Sequence, residues 1–404
     1  MSVIVQIQIS GRDQPGVTSA LTSILAQHAV PILDMSQSLI CETLSLGLLV
    51  TLDEEPARCP VFEELESRAM DLELAIQGHV VSAGNYSVWT REQHAPRHIL
   101  TLLGREISAR HIAETTKLVS ASGLSIDRIT RLSAPQGLDT GRPQGLACFE
   151  MNLHGPVNDV PVLHGAFLRL AGEIGLDIAF QEDDVFRRHR RLICFDMDST
   201  LIQAEVIDEL AAEAGVKDQV AAITDSAMRG EIDFKESFRR RMALLKGLDE
   251  SVLERVAERL TITEGAARLI SNLKVRGYKV AILSGGFTYF AEHLRTRLDI
   301  DYIHANTLDF RDGKLTGEVV GEIVDGARKA ELLQEIAERE GVRMEQVIAV
   351  GDGANDLPML SIAGLGIAFH AKPVVREKAS HSLNHVGLDG VLYLLGIRDR
   401  ELPL

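Results

Sequence analysis

LICFDMDSTL, residues 192–201, closes four apolar residues with two carboxylates, Asp196 and Asp198, separated only by Met197. Leu192 to Phe195 reads as a short buried strand, and the acids arrive where that strand stops. The same grammar returns in VIAVGDGANDLPML, 347–360, where an apolar run meets Asp352, Asn355 and Asp356 in a glycine-rich turn. A third run, VAILSGG at 280–286, ends with Ser284 before two glycines. Candidate strands at 192–195, 279–283, 347–350 and 365–368 alternate with amphipathic helices, which implies a mostly parallel sheet with helices on both faces. In such a sheet ligands sit beyond the carboxyl ends of the strands, where these polar residues fall.

Paired carboxylates at such an edge can divide the work, one attacking and the other moving a proton. Close together they repel, and a cation such as Mg²⁺ held by a few carboxylate oxygens and waters relieves them, with Asp352 completing the shell. A hydroxyl and exposed backbone N–H groups at Ser284 can hold a phosphate oxygen. Lys329, in DGARKAELL, opens an amphipathic helix. Each feature alone has a plainer reading. An acid after a strand often caps a helix, SGG is also an ordinary loop, and a lysine at a helix start is usually solvated. The repeat of strand-then-acid is what favours chemistry.

Residues 206 to about 262 hold no convincing strand and read as an inserted helical subdomain, while LDFRDGKLTGEV carries a hairpin signal at Asp312-Gly313. Upstream the pattern differs. Val3 to Ile9 alternates apolar and polar, GRDQPGV makes a turn, and Thr18 to Ala29 has helical spacing. Strands at 32–38 and 44–52, a helix at Phe62 to Ile76 and a closing strand at Tyr86 to Trp89 complete a β-α-β-β-α-β order, the ferredoxin-like arrangement. After the linker QHAPR, 93–97, the order restarts. Strands fall at 99–103, 126–132, 147–153 and 178–181 and helices at 109–122 and 160–174, with a Gly/Pro/Gln-rich loop from Ala134 to Gly145. The expected domains are therefore 1–92, 97–182 and 190–396, with helices of about 206–265 set into the last.

The 404 residues exceed one ordinary core, and the net charge of −16 disfavours nucleic acid and anionic membrane as partners. Four cysteines without a CxxC pair read as reduced, and no apolar run approaches a membrane span or a signal peptide. The expected compartment is the cytoplasm. The histidines show no ligand spacing, and FRRHRR at 186–191 reads as a solvated linker or an interface rather than a nucleic-acid site.

Together DMDST, LSGG, Lys329 and GDGAND resemble, in order and spacing, the four motifs of the haloacid dehalogenase superfamily. EVIDELAAEAG, FKESFRRRMALLKG, LSGGF and VGDGANDLPML resemble its phosphoserine phosphatase family, over about residues 190–396. The resemblance implies a Rossmann-like core with a helical cap. It implies that Asp196 attacks phosphorus, that Asp198 serves as general acid and then base, and that Mg²⁺ is held by Asp196, the Asp198 carbonyl and Asp352. It further implies that Ser284 and Lys329 bind phosphoryl oxygens, that Asn355 and Gly285 place the substrate, and that Asp356 supports Lys329 or the metal. Glu205 matches the acid that meets the substrate ammonium, and Arg241 the arginine that meets its carboxylate, although Arg241 lies in an RRR run that otherwise reads as a solvated face. Met228 and Phe234 line the apolar side, or equally belong to the cap core. The two upstream units resemble ACT domains, which implies a homodimer or higher homo-oligomer and L-serine as effector. The implied effector sites are the turns carrying Asp13, Gly16, Val17 and Thr18, and Gly104, Arg105 and Ile107. Where ACT ligand sites often carry an asparagine, this sequence has AVPILD and GLSID. Rival readings are another phosphatase or phosphotransferase of the superfamily, and an amino-acid sensor with a non-catalytic phosphatase domain.

Overall fold

The computed structural model describes residues 2–135 and 145–402, apart from the side chain of Met228. Most of the Ala134 to Gly145 loop lies outside that description. The chain divides into two compact units, Met1–Ala95 and Pro96–Leu404.

The first unit runs β1 (Val3–Arg12), α1 (Val17–Gln27), β2 (Ile32–Ile40), β3 (Thr43–Leu52), α2 (Pro60–Asp71), β4 (Leu74–Val81) and α3 (Ala83–Glu92). Its sheet has the order β2-β3-β1-β4, with every pair antiparallel. Alternation in β1 buries Val5, Ile7 and Ile9, and Leu21, Ile24 and Leu25 of α1 with Phe62, Leu65 and Ala69 of α2 close that face. Two expectations are corrected. The second helix stops at Asp71, where Glu73 turns the chain at φ 56°, and the closing strand is Leu74–Val81. Tyr86 to Trp89 is helical, because Ser82 accepts from the Asn85 N–H at 3.1 Å and caps α3. Gly78 lets Phe62 lie flat on the new strand, since a Cβ there would sit 2.6 Å from the ring.

The second unit opens with β5 (Arg97–Gly104), α4 (Ala109–Ala121), β6 (Ser125–Arg131), β7 (Ala147–His154), α5 (Val160–Ile174) and β8 (Asp177–Glu182). Its sheet order, β6-β7-β5-β8, repeats that of the first unit. Then come β9 (Leu192–Phe195) and four helices, α6 (Val206–Glu213), α7 (Lys217–Met228), α8 (Phe234–Leu244) and α9 (Ser251–Arg259). They are followed by α10 (Ala266–Val275), β10 (Lys279–Phe287), α11 (Thr288–Leu298), β11 (Tyr302–Arg311), β12 (Lys314–Val320) and α12 (Gly326–Arg339). The chain finishes with β13 (Val347–Gly351), α13 (Leu357–Ile362), β14 (Leu365–Phe369), α14 (Pro373–Lys378), β15 (His381–Leu383) and α15 (Gly390–Leu394).

The seven-stranded sheet has the order β12-β11-β10-β9-β13-β14-β15, parallel except for the β11–β12 hairpin. β9 is central and wholly buried, as its unbroken apolar run requires. Asp312 at φ 53° and Gly313 at φ 73° form the expected hairpin turn. The four-helix insertion leaves and re-enters the core through paired segments: Gln203 N donates to Thr261 O at 3.0 Å and Thr263 N to Leu201 O at 2.9 Å. Among the described residues no helix is long and apolar enough to cross a membrane.

Candidate functional site

Parallel register builds the site. Phe195 pairs with Val350 and with Ile282, so β9, β10 and β13 end at one edge of the sheet. Asp196 follows β9 directly, and its N–H donates to Val350 O at 2.9 Å. The chain then makes a tight loop in which Ser199 takes φ 57°, a left-handed conformation costly for a residue with a Cβ. The loop brings the Asp198 carboxylate to the start of α6, where Val206 N–H reaches Oδ1 at 3.4 Å. Asp196 and Asp198 are both buried, as are Ser284, Lys329 and Asp356.

Lys329 is the hub. Its ammonium is fully buried and donates to Asp196 Oδ1 and to Asp356 Oδ1, each at 2.7 Å. Asp356 uses its other oxygen to accept from Gly353 N–H at 2.9 Å. Gly351 permits this, because a Cβ there would lie 2.5 Å from the Asp356 carboxylate. Burial works against the Lys329 cation, but the two carboxylates outweigh it and hold its pKa above the ordinary lysine value.

The acids outnumber that cation. Burial first, then the neighbouring Asp356 carboxylate, pushes Asp196 up to about 7 against the pull of Lys329. Burial, with Asp196 and Asp356 adding, pushes Asp352 up to about 8. Burial, Glu205 and Asp196 hold Asp198 well above the carboxylate range, and burial also raises Glu205. Carboxylate oxygens of Asp196, Asp352 and Asp356 lie within 4.8 Å of one another. A buried surplus of negative charge made only of hard oxygen donors suits a divalent cation such as Mg²⁺. Both Asp356 oxygens accept hydrogen bonds, whereas Asp196 accepts from Lys329 and Asp352 from Thr200 through Oδ1.

Within β10 stands Ser284, whose Oγ accepts from Gly286 N–H at 2.9 Å. The hydroxyl proton is therefore free to donate elsewhere. A Cβ on Gly286 would lie 2.8 Å from Asp198 Oδ2, so the loop and the acid are in near contact. Phe234 covers Gly285, at 3.2 Å from an ideal Cβ, and stacks on the buried Phe238. Glu205 accepts from Ser199 Oγ at 2.7 Å. The RRR run separates in three dimensions. Arg239 and Arg240 are exposed, and Arg240 pairs with Glu236. Arg241 is less exposed, its buried Nε has no hydrogen-bond partner among the described residues, and it lies in the field of Asp208, Glu205 and Asp198. Asn355 is half-buried in the turn after β13, its carbonyl close to Gly326 at the start of α12. The Met228 side chain lies outside the described residues.

Two residues in this region escaped the sequence reading. Thr200, fully buried, reaches Asp352 Oδ1 through Oγ1 at 3.4 Å. Asn306, also buried, bonds the Gly285 and Gly286 carbonyls. No local pattern marked Asn306, which stands in YIHANTLDFR among His304, Thr307 and Asp309.

The turns expected to bind an effector differ between the two ferredoxin-like folds. In the first, α1 starts at Gly16 with φ 94° and no side-chain cap, Val17 is buried, Asp13 N–H donates to Glu42 O at 2.8 Å, and Thr18 donates to Gln37 at 2.7 Å. In the second, Ser108 and His111 cap α4 reciprocally, and Arg105 pairs with Glu264 at 2.6 Å. There Gly104 packs on Leu176, and Ile107 packs against the core formed with α4 and α5.

Residues 190–364 match the model of haloacid dehalogenase-like hydrolases, and residues 3–79 match an ACT domain. The chain is 43% identical to phosphoserine phosphatase SerB2 of Mycobacterium tuberculosis, over 99% of this chain and 95% of that one. The chain belongs to the phosphoserine phosphatase family. A Streptomyces coelicolor phosphoserine phosphatase is 42% identical over 98% of this chain and 93% of its own length. Among solved structures, a haloacid dehalogenase family hydrolase from Salmonella enterica serovar Typhi superposes with a TM-score of 0.62 at 34% identity, over 75% of this chain and 99% of that chain. Family membership accounts for a shared architecture: an α/β hydrolase core with helices inserted after the first strand, behind an ACT domain.

Proposed function

We propose that this chain hydrolyses O-phospho-L-serine to L-serine and phosphate through an aspartyl-phosphate intermediate, the last step in making serine. The observation that carries the reading is the buried Lys329 bridge, 2.7 Å to Asp196 and 2.7 Å to Asp356. It holds Asp196 Oδ1 and leaves Oδ2 free to attack.

In this reading the free Asp196 oxygen bonds to phosphorus as the ester P–O bond breaks. Asp198, whose proton affinity burial and Glu205 raise, gives a proton to the departing serine oxygen. The resulting carboxylate then takes a proton from water, whose oxygen attacks the aspartyl phosphate, releases orthophosphate and restores Asp196. Ser284 and Lys329 bind phosphoryl oxygens and offset charge in the transition state. Asp196 and Asp352, with the Asp198 carbonyl, would hold Mg²⁺, and a bound Mg²⁺ supplies positive charge to the acids and the phosphoryl oxygens. Glu205 meets the substrate ammonium, and Arg241, whose buried Nε lacks a partner among the described residues, meets its carboxylate. Phe234 and Gly285 bound the pocket, and Asn355 helps orient the substrate.

The upstream folds are assigned regulation by L-serine, with the ACT match at 3–79 in support. The uncapped start of α1 offers N–H groups to a carboxylate. The second ferredoxin-like fold is read as another domain of the same kind. A homodimer is supported by edge strand β2, where Leu39 is 54% and Ile40 77% exposed.

The test is phosphate release from O-phospho-L-serine with Mg²⁺, for wild type and Asp196→Asn, with and without L-serine. Activity in the wild type, lost in the variant and after chelation, and lowered by L-serine is expected. Full activity in Asp196→Asn would remove the nucleophile. Insensitivity of both rate and thermal midpoint to saturating L-serine would remove the effector.

A further inference from the structure

The strand that carries Ser284 is interrupted at the site. β10 and β11 pair in register up to Leu283 with His304 and resume at Phe287 with Asn306. Four steps along β10 thus oppose two along β11, which bulges Ser284, Gly285 and Gly286 out of the ladder. The bulge turns the Ser284 loop toward Asp198, and it also strips the Gly285 and Gly286 carbonyls of their ladder partners. Buried carbonyls left in that state cost free energy and leave the loop without a fixed position.

The Asn306 side chain supplies what the bulge removes. It is 2% exposed, and Nδ2 donates to Gly285 O at 2.8 Å and to Gly286 O at 3.3 Å. The other end of the carboxamide faces a different element, where Oδ1 accepts from Val324 N–H at 2.9 Å. Val324 immediately precedes Asp325, the residue that caps α12 by accepting from Arg328 N–H at 2.9 Å. One turn into that helix stands Lys329, its N–H bonded to Asp325 O at 2.9 Å. One planar group therefore spans the serine loop and the launch of the lysine helix. An amide is suited to this because it carries donors on one side and an acceptor on the other.

We propose that Asn306 is a positioning residue that fixes the distance between the Ser284 loop and Lys329, and so shapes the cradle for the phosphoryl group. The proposal rests on the reading that Ser284 and Lys329 bind phosphoryl oxygens. Asn306 does not touch the substrate and acts through the Gly285 and Gly286 carbonyls and the Val324 N–H. Asn306→Asp separates the two halves of the bridge: the carboxylate still accepts from Val324 but cannot donate to the glycines.

The experiment compares wild type, Asn306→Asp, Ser284→Ala and the double variant, each as the full chain with Mg²⁺. It measures hydrolysis of O-phospho-L-serine and p-nitrophenyl phosphate, and orthophosphate affinity by calorimetry. Misplacing a catalytic loop by about 1 Å costs on the order of 100-fold. Asn306→Asp is therefore expected to lower kcat by about 10- to 100-fold by the same factor on both esters, with KM changing less, and to weaken orthophosphate binding. In the Ser284→Ala background the same substitution is expected to cost much less, because the loop it positions has lost its hydroxyl. Unchanged orthophosphate affinity together with fully multiplicative losses would overturn the proposal and leave Asn306 a structural residue. Should Asn306→Asp not fold, Asn306→Ala carries the same comparisons. Turnover of p-nitrophenyl phosphate without phosphoserine would fail the substrate reading alone. If the wild type hydrolyses neither ester, orthophosphate affinity decides: weaker binding in the variant supports the bridge, while equal binding, or none in the wild type, overturns it.

Discussion

At the scale of single residues the site depends on what is missing as much as on what is present. Gly286 has no Cβ, and adding one would press on Met197 Cε at 2.7 Å and Asp198 Oδ2 at 2.8 Å. Gly286→Ala is expected to lower kcat by on the order of 100-fold through displacement of the acid, with a thermal midpoint within a few degrees of wild type. Steady-state kinetics beside a thermal melt checks this. A second residue-scale effect concerns pH. His381 is largely buried, and its Nε2 bonds Phe180 O at 3.1 Å. Burial, with His164 adding, lowers its pKa from 6.5 to about 4. The folded value lies below the unfolded one, so the unfolded chain binds the proton more readily. Stability is complete above about pH 6.5 and is lost as pH falls toward 4, by up to about 3 kcal/mol. Urea midpoints at pH 7.5 and pH 5 should show the drop, and His381→Gln should shrink it. An equal drop in the variant would assign the effect elsewhere.

At the scale of elements, α8 joins the cap to the hairpin. Gly317 in β12 has φ 85°, and a Cβ there would meet the Met242 carbonyl at 3.2 Å and the Ala243 Cα at 3.3 Å. Beyond the helix, Gly247 N–H donates to Leu315 O at 2.7 Å and Glu250 N–H to Gly313 O at 2.9 Å. Gly317→Ala combines overpacking with an unfavourable φ and is expected to cost about 1–3 kcal/mol. Because α8 carries Phe234 and Arg241, it should also raise KM for phosphoserine more than it lowers kcat. Denaturation together with a kcat and KM split tests both parts. The elements that local pattern misread were those decided by a neighbour. Leu74 to Ile76 looked like the tail of a helix until Glu73 turned the chain into a strand, and Tyr86 to Trp89 looked like a strand until Ser82 capped a helix.

At the scale of the second unit, its four-stranded sheet is tied to the seven-stranded core by buried polar contacts. Arg187 pairs with Glu150 at 2.6 Å, with side chains 4% and 6% exposed, and its Nε donates to Leu394 O at 3.2 Å. Asp177 accepts from the N–H groups of Asn384 and His385 at 2.7 and 2.9 Å. Glu150→Ala strands a buried guanidinium and is expected to cost about 3–5 kcal/mol. Arg105→Ala removes an exposed pair and should cost less than about 1 kcal/mol. Chemical denaturation of both variants checks the contrast, and similar losses would refute it.

The sequence by itself determined the parallel core and the acids at its edge. Central strands buried on both faces must be unbroken apolar runs, and polar residues that end such runs stand out. It also determined the hairpin, because Asp-Gly suits a turn with positive φ at both positions. Tertiary structure showed that Arg241, the arginine the resemblance singles out, is less exposed than Arg239 and Arg240, since consecutive residues on a helix point in different directions and packing chooses among them. It alone decided that Lys329 bridges Asp196 and Asp356, residues 133 and 27 positions away. It alone gave Asn306 its work, because the carbonyls it satisfies lose their ladder partners only where β10 bulges away from β11. Local order follows from periodicity. Charge neutralisation and hydrogen-bond satisfaction across the sheet edge are set by distances that no local pattern carries.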